Sequence, residues 1–141
     1  MTIVSEVMTR GVRTLAPQDH VVLAARLMDQ LDIGSLPVCD AGKLIGVVTD
    51  RDLVVRGLAR RASLEGAPVK EFMTSEVAYC YDHQPVDEVL DYMGGDQLRR
   101  LPVLDREHRL VGIVTLGDIA AKEEQPATDQ ALAEISSDLP K

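Results

Sequence analysis

The sequence predicts an α+β fold made from two copies of a β-α-β-β-α unit, and three observations carry that prediction. The stretch Leu44-Ile45-Gly46-Val47-Val48-Thr49-Asp50-Arg51-Asp52-Leu53 returns as Leu110-Val111-Gly112-Ile113-Val114-Thr115-Leu116-Gly117-Asp118-Ile119. Val4-Ser5-Glu6-Val7-Met8-Thr9 matches Val69-Lys70-Glu71-Phe72-Met73-Thr74, and Leu36-Pro37-Val38 matches Leu101-Pro102-Val103, both 65 residues apart; after a one-residue insertion the offset becomes 66. Each long copy is an apolar, β-branched run that meets Gly-x-x-Thr-x-x-Asp and passes into helix-like sequence, the pattern of a buried strand feeding a helix.

The elements follow in order. Val4 to Thr9 reads as a short amphipathic helical turn leading through Gly11 into a strand over Val12–Leu15. Pro17-Gln18-Asp19 starts a helix whose apolar positions Val21, Ala24, Ala25, Met28 and Leu31 keep helical spacing, with Gly34 marking its stop. Leu36 to Cys39 is a strand whose proline suits an edge or first position. Asp40 to Lys43 turns the chain, Leu44 to Val48 returns as a strand, and Asp50 to Ala59 is helix. The second copy repeats this with strand Val77–Tyr81, helix Val86–Met93, strand Leu101–Leu104, a turn over Asp105–Arg109, strand Leu110–Val114 and helix Leu116–Lys122. The expected divisions are a first repeat at 1–62, a linker at 63–68 within the polar stretch closed by Gly66 and Pro68, a second repeat at 69–122 and an acidic tail at 123–141. A small sheet with one helical layer keeps a spare apolar face, so the two sheets are expected to pack on each other.

The strand-to-helix junction has its own chemistry. Free N–H groups at a helix start, with the positive end of its dipole, suit an anion, and the Thr hydroxyl adds a donor. Three residues on, the Asp offers two acceptor oxygens to a pair of neighbouring sugar hydroxyls. The junction thus pictures phosphate below and ribose above. The same Thr-x-x-Asp is also a capping box, which needs no ligand. Taken as a single motif, either reading stands.

The ordered set Val-x-x-x-Met-Thr, Leu-Pro-Val and Gly-x-x-Thr-x-x-Asp, present twice, resembles the cystathionine β-synthase (CBS) domain, found as tandem pairs called Bateman modules. The resemblance covers residues 4–122. The run Asp32 to Cys39 with Thr49-Asp50-Arg51-Asp52 is also similar to small stand-alone actinobacterial hypoxic-response type members. The resemblance implies two repeats related by pseudo-two-fold symmetry and packed sheet to sheet, with clefts between them and a homodimer of disc shape. It also implies composite nucleotide sites. One cleft would join Thr49, Arg51 and Asp52 to Thr74, Val77, Ala78, Arg99 and Arg100; the other would join Thr115 and Asp118 to Thr9, Val12, Arg13, Ile33 and Gly34. The first gathers three arginines against Arg13 alone in the second, where Gly34, Ser35 and Gly117 replace their counterparts. Arginine matches phosphate well, so the first cleft is expected to hold a phosphorylated adenosine more tightly. The implied ligand is AMP, ADP or ATP, with NAD and S-adenosylmethionine left open, and no further cofactor or metal.

Composition narrows the function. Hydrophobic residues make up 45% of the 141 and charged ones 27%, as in a soluble globular protein. No apolar run approaches the ~20 residues of a membrane span, and Met1 to Glu6 lacks the blocks of a signal peptide. A cytoplasmic location is therefore expected. The net charge of −8 argues against nucleic-acid binding, and it concentrates in the tail, where Glu123, Glu124, Asp129, Glu134 and Asp138 face Lys141 alone. Cys39 and Cys80 have no zinc or redox spacing, and His20, His83 and His108 are scattered. No nucleophile beside a base, carboxylate pair or metal cluster is visible as a motif, so no enzyme is expected. At this length a CBS pair leaves no room for a catalytic domain. The expectation is a stand-alone regulatory protein acting on an unknown protein partner, with a ligand-free dimerisation or scaffold protein as the alternative.

Overall fold

The computed structural model describes residues 1–59 and 64–122. Its clearest local unit is a hairpin of β1 (Ser35–Asp40) and β2 (Lys43–Thr49), paired antiparallel. Ala41 and Gly42 close it, both with positive φ (53° and 82°), the two-residue turn whose twist matches that of the strands. Leu15 lies beside β1, donating its N–H to Pro37 O at 2.9 Å and accepting from Cys39 N at 2.8 Å. The helix α1 (Val21–Leu31) covers this sheet with Val21, Ala24, Leu27 and Met28, which pack with Leu15, Leu36, Val38 and Val48.

The stop of α1 differs from expectation. Asp32 takes the left-handed conformation at φ 54°, its N–H reaching back to Met28 and Asp29. An aspartate tolerates that geometry. Gly34 lies past that stop, where a Cβ would stand 3.1 Å from a carboxylate oxygen of the exposed Asp50 side chain. The start of α1 also comes later than expected, because Asp19 closes a turn by accepting from Ala16 N at 2.8 Å.

After β2 comes a single α turn, α2 (Asp50–Asp52), which widens into a π-helical turn over Leu53–Leu58, with Ala59 N–H on Val54 O at 3.0 Å. The sequence spacing predicts an ordinary helix here. Two β-branched residues and Gly57 weaken that preference, and Gly57 is buried where a Cβ would meet Leu64 at 3.2 Å. Packing of this turn onto Leu64 and Phe72 takes precedence over regular helix bonding.

The second sheet has the order β3-β4-β5, from β3 (Cys80–Tyr81), β4 (Arg100–Leu104) and β5 (Leu110–Thr115), with β3 parallel to β4. α3 (Val86–Gly95) supplies Val86, Val89 and Met93, and α4 (Leu116–Lys122) supplies Leu116 and Ile119, to a core with Leu101, Val103 and Val114.

Two compact units result, and they are cut differently from the sequence repeats. One holds Arg13–Val77 and His108–Leu110; the other holds Met1–Val12, Ala78–Glu107 and the described chain from Val111. Each repeat's leading segment therefore belongs to the other repeat's sheet. Val69 and Phe72, around a 3-10 turn at Val69–Glu71, sit in the core under α1; Val4 and Val7, around the turn Val4–Glu6, sit in the core with α3. The chain passes between units at Val12/Arg13 and at Val77/Ala78. This shortens two expected strands: Val12–Leu15 is reduced to the single bridge between Leu15 and Val38, and Val77–Tyr81 to Cys80–Tyr81. Residues that carry the crossing have no strand to follow. The acidic tail at 123–141 lies outside the described residues, and among those described no helix is long and apolar enough to cross a membrane.

Candidate functional site

Both Thr-x-x-Asp motifs fold into the same local structure. Thr49, extended at φ −114°, accepts the Asp52 N–H on its hydroxyl at 3.0 Å, while Asp52 Oδ2 accepts the Thr49 N–H at 3.0 Å. Thr115 and Asp118 repeat this at 3.0 and 3.1 Å. These are reciprocal capping boxes, complete within the chain.

A third residue reaches each box from the leading segment. Thr74 and Val47 exchange two backbone hydrogen bonds, at 2.8 and 3.0 Å, and Thr9 and Ile113 do the same at 2.8 and 3.0 Å. The motif glycine makes this close approach feasible. A Cβ on Gly46 would stand 2.7 Å from Met73 Sδ and 2.9 Å from Thr74 O; on Gly112 it would stand 2.7 Å from Thr9 O and 2.8 Å from Met8 Sδ. The pairing brings Thr74 Oγ1 to 3.5 Å from both Asp52 oxygens, and Thr9 Oγ1 to 3.4 and 3.5 Å from those of Asp118. At that length these bonds are weak. Each carboxylate keeps capacity for a better donor, such as a ligand hydroxyl.

The other sequence-predicted residues divide between the units. Arg51 is exposed in the first turn of α2, and Val77 shares the unit of Asp52; Ala78, Arg99 and Arg100 belong to the other unit, with both arginines exposed. Val12 shares the unit of Asp118, whereas Arg13, Ile33 and Gly34 do not. Gly34 and Arg99 have matching roles as carbonyl acceptors, for Asp50 N at 3.0 Å and Leu116 N at 3.1 Å. Gly117, in the place of Arg51, is exposed in α4.

Sequence reasoning passed over two residues. Asp50 opens α2, and its Oδ1 accepts the Arg51 N–H at 2.7 Å, so a carboxylate already occupies one helix-start donor and offsets the charge of Arg51 there. Arg56, four residues beyond Asp52, places Nε 3.9 Å from Asp52 Oδ1 and Nη1 at 3.1 Å from Met73 O and 3.4 Å from Phe72 O. The signal available was an acid and a base at helical i,i+4 spacing.

Beside this site a groove of about 490 Å³ runs between α1 and the π-helical turn, lined by Val22, Ala25, Leu53, Val54 and Leu58 with Arg26 among the polar groups. Leu58 is 67% exposed and Val54 55%. Elsewhere Tyr79 and Tyr81 meet edge-on at 5.5 Å, and Tyr81 stacks on His83 at 5.5 Å. The hydrogen bond with Tyr79, then burial and the neighbouring charge, pushes the Tyr81 phenol up. Burial also raises the Cys39 thiol and pushes Cys80 up to about 12, so both stay protonated at neutral pH.

The sequence pattern of the CBS domain matches residues 4–58 and 69–124. The chain belongs to the CBS-domain family, as a tandem pair. Hypoxic response protein 1 of Mycobacterium tuberculosis is 37% identical over 140 residues, 99% of this chain and 97% of that protein. A crystal structure of Hypoxic Response Protein I with two coordinated zinc ions aligns at a TM-score of 0.75 and 38% identity, over 86% of this chain and 98% of that one. The CBS pair of protein MJ0100, in complex with 5′-methylthioadenosine and S-adenosyl-L-methionine, aligns at 0.68 and 30% identity over 86% and 94%. CBSX2 in complex with AMP aligns at 0.72 and 26% identity over 96% and 99%. The fold is thus an α+β CBS pair. Among the described residues no group of three His, Cys, Asp or Glu side chains comes together.

Proposed function

We propose that this CBS pair is a stand-alone, non-catalytic regulatory protein of the cytoplasm that binds an adenine nucleotide and acts on a partner in trans. The observation that carries this reading is the Thr-Asp-Thr cluster built twice with one geometry, each with a carboxylate whose bond to the leading-segment hydroxyl is long, at 3.4–3.5 Å. A ribose diol makes two charge-assisted bonds to such a carboxylate. The similar structures support the ligand class: AMP, methylthioadenosine and S-adenosylmethionine share adenosine but not phosphate. Adenosine is thus the part proposed to be recognised in common, with Asp52 and Asp118 offered to its ribose. Thr49 and Arg51 in the first site, and Thr115 in the second, are the groups offered to a phosphate, so AMP, ADP and ATP are the ligands proposed first.

The alternative, a ligand-free scaffold, draws on the capping boxes being complete without a ligand. Melting temperature and calorimetry with AMP, ADP, ATP, NAD and S-adenosylmethionine separate the two readings. A ligand at a hundred times its Kd stabilises by ~2.7 kcal/mol. Asp52→Ala is expected to remove one binding event and Asp118→Ala the other. A protein whose melting temperature none of the five ligands moves is the scaffold.

A further inference from the structure

Arg56 touches both components of the first cluster. Its Nε faces the Asp52 carboxylate at 3.9 Å, and its Nη1 donates to the carbonyls of Met73, at 3.1 Å, and Phe72, at 3.4 Å. Met73 directly precedes Thr74, whose hydroxyl lies 3.5 Å from that carboxylate. The guanidinium thus ties the helix bearing Asp52 to the segment bearing Thr74. Those two parts come from different repeats of the sequence.

Two features fit this contact. Arg56 stands in the π-helical turn Leu53–Leu58, and a π turn holds more residues than an α turn, so the fourth residue on falls more nearly over Asp52. The planar fork of arginine also addresses a carboxylate and backbone carbonyls at once, which a lysine ammonium does less well. At the matching place in the second repeat, 66 residues on, the sequence has Lys122.

We infer that Arg56 is a positioning residue that sets the affinity of the first site for adenosine; this rests on the nucleotide reading above. A ligand diol has to displace the weak Thr74 contacts with Asp52. Once they are displaced, the Thr74 segment stays in place through its exchange with Val47 and through the two carbonyls that Arg56 grips. The carboxylate stays oriented by Thr49 N–H and by the facing guanidinium. Binding then orders little that is not already ordered, and affinity gains by the cost avoided. Arg56 turns toward protein acceptors, so its effect is the same for a ligand with or without phosphate. That property separates positioning from direct phosphate binding.

The experiment is calorimetry with AMP and with adenosine on the full chain carrying Asp118→Ala, which isolates the first site, with and without Arg56→Gln or Arg56→Lys. Arg56→Gln is expected to weaken both ligands about tenfold, the scale of a lost hydrogen bond to a charged group, and Arg56→Lys to recover part of the loss. Amide exchange at Thr74 is expected to speed up in Arg56→Gln while exchange at Thr9 does not change. Unchanged affinity in Arg56→Gln, or a loss much larger for AMP than for adenosine, overturns the positioning role and leaves the nucleotide reading intact. If Arg56→Gln does not fold, unchanged affinity in Arg56→Lys overturns it equally. If the parent protein binds neither ligand, the nucleotide reading itself falls, and this inference with it.

Discussion

The motif glycines act by the atom they lack. Gly46 and Gly112 lie where another stretch of backbone crosses at under 3 Å from the position of a Cβ, so a methyl group must push Met73 and Thr74 away from β2, or Met8 and Thr9 away from β5. Gly46→Ala and Gly112→Ala are each expected to destabilise by ~1–3 kcal/mol, the range for overpacking, read as a lower urea midpoint. Gly94, helical and with open space around its Cβ position, is the control: Gly94→Ala is expected to be neutral or to stabilise by up to about 1 kcal/mol. The thiols give a second expectation at this scale. Cys80 is buried, with its pKa pushed up to about 12, and Cys39 is only half-buried. At pH 8 an alkylating reagent is therefore expected to modify Cys39 well before Cys80, and in urea at equal rates. Equal rates in the folded protein would contradict the burial of Cys80.

At the scale of elements, what was legible depended on whether the reason lay in the local sequence. Strands β1, β2, β4 and β5 were visible because β-branched runs end at glycine, turn or Thr-x-x-Asp signals, and α1 and α3 because apolar residues keep helical spacing. The capping role of Thr49 and Thr115 was visible for the same reason. The π-helical turn was not, since it follows from Leu64 and Phe72 packing on Gly57, a contact no local window contains. Nor was the stop at Asp32, where the αL residue is one that only tolerates that conformation. The site was legible in part. Repeat spacing pointed to Thr49, Asp52, Thr74, Thr9, Thr115 and Asp118, which the fold gathers as two clusters. Asp50 stands at a position the repeat does not keep, where the second copy has Leu116, and Arg56 lies beyond the repeated stretch; several of their contacts are made with backbone atoms that sequence does not display.

For the molecule as a whole, exchange of leading segments means that neither repeat, cut at the linker, carries a complete core: Val69 and Phe72 belong under α1, and Val4 and Val7 with α3. Yet burial is incomplete on the outer side of α1 and the π-helical turn, where Val22, Val54 and Leu58 are exposed around the groove. With aromatic residues at only 3% of the sequence, aliphatic side chains must provide most contact surface, and a contiguous exposed aliphatic patch favours association. A two-fold dimer sets such a patch against its own copy. Light scattering is therefore expected to give twice the 15.4 kDa of one chain. Leu58→Glu, which places a charge in the patch while leaving the cores untouched, is expected to shift the protein to the monomer with little change in its far-ultraviolet spectrum. Adenosine binding should survive in that monomer if each Thr-Asp-Thr cluster is sufficient within one chain. A parent protein that stays monomeric over a wide concentration range would overturn the dimer, and a Leu58→Glu protein that stays dimeric would move the contact to another face.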